Sequence, residues 1–259
     1  MGSLSVSGFR TAVSLLTRVP VGADRPEAWN LGRAVAWFPV VGGLLGLAAA
    51  GSYAGALVLL PPLVASGLAV GVGIALTGAL HEDGLADTAD ALGGARSKED
   101  ALRILKDPSL GTYGVLALVL SVLLRVVALG TLDGWRALAF LPGAHALSRG
   151  AAGLLLAARP AATRHGLGAA FSAATTWRDV SWAVVSSLLL GALFLGAWVV
   201  PAAALVILVA AAIGALSVRR IGGTTGDVLG AVQQVAEISV LLLGAAAARG
   251  WPSSVVWWR

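Results

Sequence analysis

The chain has no cysteine, and its 259 residues include only three histidines, two tyrosines and one methionine. Without thiols there are no disulfides, no thiolate nucleophile and no cysteine-ligated zinc, so oxygen and imidazole groups must carry any chemistry. Charge is equally scarce. Asp, Glu, Lys and Arg make up 12% of the sequence against 58% hydrophobic residues, about half the charge usual in a soluble domain. No Ser-His-Asp order, Walker loop, dinucleotide fingerprint or internal duplication is present. His145 and His165 stand alone without metal-ligand spacing and receive no role.

What the chain does have is long apolar runs. A hydrocarbon core about 30 Å thick needs about 20 apolar residues per helix, and seven runs approach that length: 34–60, 63–80, 111–132, 135–157, 182–200, 201–218 and 227–248. The expected fold is an all-α, polytopic membrane bundle, with residues 1–259 forming one membrane-embedded catalytic domain. Pro61, Pro62 and Pro201 mark helix ends, because proline disrupts a helix interior. Arg10 and Arg18 break the first apolar stretch, which argues against a removable signal peptide. Residues 3–17 read as an amphipathic interfacial helix.

Thirteen Lys and Arg residues fall in the connections on one side of this topology and three on the other, with Arg125 and Arg149 inside spans. The positive excess marks the cytoplasmic side, so the 81–110 connection faces the cytoplasm. The formal net charge of +5 then belongs to loops beside a membrane, and no nucleic-acid partner is expected. Trp29, Trp135, Trp177, Trp182, Trp251, Trp257 and Trp258 lie near span ends, as interfacial aromatics do. Glycine clusters such as GGLLG at 42–46 are read as close helix packing.

Six of the thirteen acidic residues lie in HEDGLADTADALGGARSKED, residues 81–100. Asp83, Asp87 and Asp90 are spaced i, i+4 and i+7, which on a helix aligns three carboxylates on one face. Like charges on adjacent turns repel, and a hard cation such as Mg²⁺, or Mn²⁺ as an alternative, would offset that. His81 and Glu82 point elsewhere on such a helix. The plainer alternative is a solvated acidic loop neutralised by Arg96, Lys98, Arg103 and Lys106. A second acidic segment, RRIGGTTGDVLGAVQQVAEISVLL at 219–242, offers a glycine-rich turn that could meet phosphate at a helix N-terminus; helix capping with Asp227 as a first-turn acid is its alternative. Glu237 lies roughly 15 Å into the last span, a depth at which an ionisable group is a functional candidate. Arg149 is likewise intramembrane and needs an anion, with a structural pair to Glu237 equally open; Arg125 is expected to snorkel.

The segments TRVPV (17–21), WFPVVGGLLG (37–46), HEDGLADTADALGG (81–94), KDPSLGTYG (106–114), SRG (148–150) and GGTTGDVLGA (222–231) occur in the order seen in cobalamin synthases, and the chain resembles that family nearly end to end. It departs from the family pattern at Pro108 and Gln234. The resemblance implies an inner-membrane, Mg²⁺-dependent adenosylcobinamide-GDP ribazoletransferase. Such an enzyme passes the adenosylcobinamide phosphate to α-ribazole or α-ribazole 5′-phosphate and releases GMP, alone, as a homo-oligomer or in a membrane-associated complex. On this reading Asp83, Asp87 and Asp90 hold the metal, one of them or Asp227 is the base, and Arg96, Lys106, Arg149 and Glu237 form the substrate-binding set. Two other classes remain. A CDP-alcohol phosphotransferase requires an Arg where Asp87 stands, and an ion-coupled transporter would use Glu237 and Arg149 as relays.

Overall fold

The computed structural model describes residues 5–22, 30–164 and 166–249. Trp29, Trp251, Trp257, Trp258, Arg25, Arg259 and His165 lie outside them. The described residues form helices joined by short turns, with one isolated bridge, Ala161 to Thr224, and no strand.

The helices are α1 (Val6–Leu16), α2 (Leu31–Val35), α3 (Phe38–Ala56), α4 (Pro62–Thr77), α5 (Leu80–Gly94), α6 (Lys98–Ile104), α7 (Thr112–Gly130), α8 (Gly134–Ala158), α9 (Leu167–Ala174), α10 (Trp177–Leu195), α11 (Val199–Ile221) and α12 (Gly226–Ala247). Each of the seven apolar runs becomes a helix, but they are not seven uniform spans. Among the described residues four helical stretches are long and apolar enough to cross a membrane, or five if α4 and α5 count as one broken span. One of the four, Trp177–Ile221, runs for 45 residues. At 1.5 Å per residue one straight helix of that length would measure about 68 Å, more than twice the hydrocarbon thickness. The chain breaks it at Gly196, whose φ of 57° and ψ of −132° end α10, and a 3-10 turn over Gly196–Trp198 leads into α11. Pro201 sits in the first turn of α11 rather than at the break, a position where its missing N–H costs nothing.

The surface pattern is that of a protein in lipid. On α7, Val115, Leu116, Val119, Leu120, Leu123, Leu124 and Val127 face outward, while Gly114, Ser121, Arg125 and Ala128 are buried. The inward residues recur at i, i+7, i+11 and i+14, one stripe of a helix. Arg125 therefore does not snorkel; it points into the bundle. Trp135, Trp177 and Trp182 are exposed near the starts of α8 and α10.

Helix α8 is the axis of the fold. Every residue from Ala139 to Gly153 is buried, because α3, α10, α11 and α12 surround it. The GGLLG segment makes the closest of these contacts: a Cβ on Gly42 would lie 2.6 Å from Arg149 Cδ, and one on Gly46 would lie 2.7 Å from the Leu141 carbonyl oxygen. Small residues four apart bring helices together in lipid, where no hydrophobic effect does so. Here they also seat the Arg149 side chain.

The 81–94 stretch, read either as a helix with three carboxylates on one face or as a solvated loop, is a helix, and it is packed into the bundle. α4 stops at Thr77, Gly78 and Ala79 take left-handed conformations (φ 64° and 59°), and the chain turns by 90° into α5. α5 then packs against α12 and α7, with His81, Glu82 and Asp90 buried.

Candidate active site

The crossing of α5 and α12 builds the site. Gly84 and Gly230 face each other so closely that a Cβ on Gly84 would lie 2.8 Å from the Asp227 carbonyl oxygen. This contact brings the acidic face of α5 to the N-terminus of α12. Gly222, at φ 83°, ends α11; Thr224 donates its N–H to the Pro160 carbonyl (2.8 Å), and Thr225 caps α12. The Thr225 hydroxyl also bonds Asp227 Oδ2 at 3.1 Å. The capping reading of the GGTTGD segment holds at Thr225, and Asp227 beside it borders open space.

That space is a cavity of about 330 Å³. Asp83, Asp227, Lys106, His81 and Arg149 reach it, and leucines of α1, α6 and α8 with Phe38 and Phe171 form apolar walls. Asp87, half-buried on the same face of α5, lies within the electrostatic reach of Asp83, Asp227 and Asp90. The three carboxylates of α5 nevertheless do different things. Asp83 is exposed to the cavity. Asp90 is buried, and its two oxygens accept the N–H groups of Gly111 (2.8 Å) and Gly114 (2.9 Å) at the start of α7. A carboxylate at a helix N-terminus meets unpaired amides and the positive end of the dipole, so Asp90 is an anchor for α7. Among the described residues no three His, Asp or Glu side chains gather as a metal-binding group.

The other sequence-selected cations and Glu237 separate as well. Lys106 and Arg149 face the cavity, whereas Arg96 is exposed and outside its lining, its backbone N–H donating to Asp100. Asp100 is held below the usual carboxylate range first by its hydrogen bond from Arg103, 2.7 Å away. Asp107 is lowered chiefly by the Ser109 N–H, which closes a turn across Pro108. Glu237 does not reach the cavity. It lines a smaller void of about 20 Å³ beneath it, together with Glu82, Arg125 and Gln234.

Around that void is a polar core that sequence reasoning missed. Arg125 Nη1 donates to Glu82 Oε1 at 2.9 Å and lies 3.6 Å from Glu237 Oε1. Gln233 donates to Glu237 (2.7 Å), and Gln234 donates to Glu82 (3.2 Å) while accepting from Ser121 (3.0 Å). At Gln234 an amide therefore supplies a proton where a carboxylate would add a third negative charge. Arg149 Nη1 lies 3.0 Å from His145 Nδ1 and also donates to the His145 carbonyl. A guanidinium only donates, so Nδ1 accepts and the ring proton sits on Nε2. Glu237 Oε2, 3.5 Å from the same nitrogen, is thus bonded by Gln233 and not by an imidazolium. Arg149 makes no ion pair with Glu237; it stands between His145 and the cavity, and with His81 it borders both voids. The signal in the sequence was the repetition of intramembrane polar residues at helical spacing: Ser121 with Arg125, His145 with Arg149, and Gln233 with Glu237.

Comparison with known proteins places this arrangement. No solved structure matches the chain. A relative from Bradyrhizobium diazoefficiens, named adenosylcobinamide-GDP ribazoletransferase, is 41% identical over 249 residues, covering 93% of this chain and 94% of the relative. Proteins of the same name from Azorhizobium caulinodans and Chlorobaculum parvum are 44% and 38% identical, covering 89% and 96% of this chain and 92% and 99% of theirs. The family model described as cobalamin-5-phosphate synthase matches residues 8–245, a range that runs from the first turn of α1 to the last turn of α12. The chain belongs to the cobalamin-5-phosphate synthase family.

Proposed function

We propose that the chain is an adenosylcobinamide-GDP ribazoletransferase, acting as one catalytic unit and joining adenosylcobinamide-GDP to α-ribazole or its 5′-phosphate with release of GMP. The observation that carries this reading is the convergence of Asp83, Asp227, Lys106 and Arg149 on one apolar-walled cavity. A diphosphate needs compensating positive charge, a positioned base and exclusion of water, and these side chains are of the right kinds. A corrinoid is far larger than 330 Å³, so the cavity would receive the diphosphate and the ribazole while the ring stays at the mouth. The connection bearing Lys98, Arg103 and Lys106 supports a location in the cytoplasmic membrane with the mouth facing the cytoplasm.

In the reaction, the ribazole 3′-hydroxyl oxygen bonds to the phosphorus that carries the aminopropanol of cobinamide. The bond from that phosphorus to the bridging oxygen breaks, and GMP leaves with its electron pair. Asp227, at the cavity wall beside Thr225, takes the hydroxyl proton. Lys106 and Arg149 offset the charge of the phosphate oxygens, and the apolar walls keep competing water from the phosphorus.

The donor set fits a divalent cation held jointly with substrate. Two hard carboxylates, Asp83 and Asp227, border the cavity, with Asp87 adjacent, and Mg²⁺ is commonly held by one or two carboxylates plus substrate phosphates. When bound it would supply charge neutralisation at the diphosphate. Asp90 stands apart from this set: its oxygens accept the amides of Gly111 and Gly114, and it does not border the cavity.

The test is turnover of purified protein in detergent with Mg²⁺, adenosylcobinamide-GDP and α-ribazole, scored for GMP and cobalamin. GMP and cobalamin should appear in equal amounts. No GMP under conditions in which the Bradyrhizobium relative turns over would overturn the reading.

A further inference from the structure

Helix α8 has two working faces. Arg149, Ala152 and Leu156 border the cavity already described. On the opposite side Leu147, Ala151, Leu154 and Ala158 border a separate groove of about 230 Å³, closed by α10 and α11. The groove exists because small side chains line it: Gly150, Ala151, Ala203 and Ala210 leave room that larger residues would fill. Polar groups are nearly absent from its walls. Ser187 donates its hydroxyl to the Val184 carbonyl of its own helix (2.8 Å), which leaves the Arg159 guanidinium as the group that faces a ligand.

The charge at one end of the groove says what kind of ligand it suits. Gly143 lies by Leu195, Gly150 by Ser187 and Gly214 by Leu155, so α10 runs against α8 and α11 runs with it, and the C-terminus of α8, the N-terminus of α10 and the C-terminus of α11 lie at the same end. That end carries Arg159, Arg178, Arg219 and Arg220, all exposed. None of the four forms an ion pair among the described residues. The nearby acid, Asp179, is buried and engaged in a capping box with Thr176. An apolar slot within the span, with Arg159 in its wall and three more exposed arginines on helix ends at the same side, matches an amphiphile with an anionic head.

We propose that this groove is a binding site for an anionic phospholipid of the surrounding bilayer, with one acyl chain between α10 and α11 against α8 and the phosphate at Arg159. The site is independent of the catalytic cavity and of the reaction assigned to it. Basic residues near a membrane surface attract anionic lipid by about 1 kcal/mol each, a roughly fivefold preference from Arg159 alone.

The experiment uses the full chain in phosphatidylcholine vesicles containing a trace of phosphatidylglycerol or phosphatidylcholine with a photoactivatable acyl chain, followed by peptide mapping. The phosphatidylglycerol probe should label groove residues of α8 and α11 roughly fivefold more than the phosphatidylcholine probe. Arg159→Gln should lower that ratio severalfold, and Ala203→Leu, which fills the groove, should remove groove labelling by both probes. Equal labelling by the two probes in the unaltered protein would mean that zwitterionic lipid fills the groove and would overturn the proposal. So would an unlabelled groove in a chain that elutes as a dimer, the signature of a second copy seated there. The two-probe comparison on the unaltered protein decides even if neither variant folds.

Discussion

The two polar regions flanking α5 use the same residue types to opposite ends. In the cavity, Asp83 and Asp227 line the wall without an ion pair among the described residues and within electrostatic reach of Asp87, and Lys106 and Arg149 border the same space. In the core below, Glu82 and Glu237 share Arg125, with Gln233 and Gln234 supplying further donors. A buried charge is tolerated when it is paired and hydrogen-bonded; an uncompensated acidic wall is tolerated when it is wet or waiting for a cation and its ligand. The difference separates residues kept for structure from residues kept for chemistry, and it can be tested from each side.

The largest effect should come from unbalancing the core. Arg125→Ala leaves Glu82 and Glu237 facing each other without a shared cation, and breaking one member of a buried pair typically costs about 3–5 kcal/mol. Thermal unfolding in detergent should show a large loss of stability. Glu82→Met combined with Arg125→Met removes both charges and should recover most of it. If the double variant is no more stable than Arg125→Ala, the core is not held by charge balance. Next in size, Asp83→Ala and Asp227→Ala should reduce turnover by about 10²–10³-fold with little change in the unfolding temperature, because each sits on an open wall. A variant that keeps substantial activity would remove that residue from the chemistry.

Much of this division was not legible in the sequence. The helical spacing of Asp83, Asp87 and Asp90 was visible and correct, but periodicity reports only that residues share a face, not what the face meets. What Asp90 meets are amides 21 and 24 residues further along the chain, a tertiary contact that no local pattern contains. The same limit explains Arg125: its place in an apolar run was plain, while the side of α7 on which it falls depended on reading Ser121 and Gly114 as the inward stripe. The bend before α5 was hidden for another reason. Ala79 adopts a left-handed conformation that alanine disfavours, so propensity argued against the very turn that carries Glu82 into the bundle. By contrast, the proline-marked entry to α4, the run that becomes α12 and the GGLLG contact were readable, because proline chemistry and small-residue packing act locally.

Asp90 sharpens the comparison further, since it belongs to the acidic face by sequence and to the structural set by contact. Asp90→Ala leaves the N–H groups of Gly111 and Gly114 at the start of α7 without their acceptor, the second of them buried, and such a loss costs about 1–3 kcal/mol. Reduced stability should accompany nearly normal turnover per folded molecule, and the apparent affinity for Mg²⁺ should not move. A shift in Mg²⁺ dependence larger than that of Asp83→Ala would return Asp90 to the metal site.

The smallest effect concerns the bend itself. A non-glycine residue in the left-handed region costs roughly 1 kcal/mol, and Ala79, unlike Gly78 beside it, carries a Cβ. Ala79→Gly relieves that clash but also loosens the unfolded chain, an opposing effect of about 0.4–1 kcal/mol. The net change should be a stabilisation of about 0.5 kcal/mol or less, read as a rise of a degree or so in unfolding temperature. Ala79→Val adds branching at the same position and should lower the unfolding temperature instead. Turnover should follow stability in both, because the bend sets where Glu82 and Asp83 stand without touching substrate. A valine variant as stable as the original would show that the left-handed bend does not hold α5 in place.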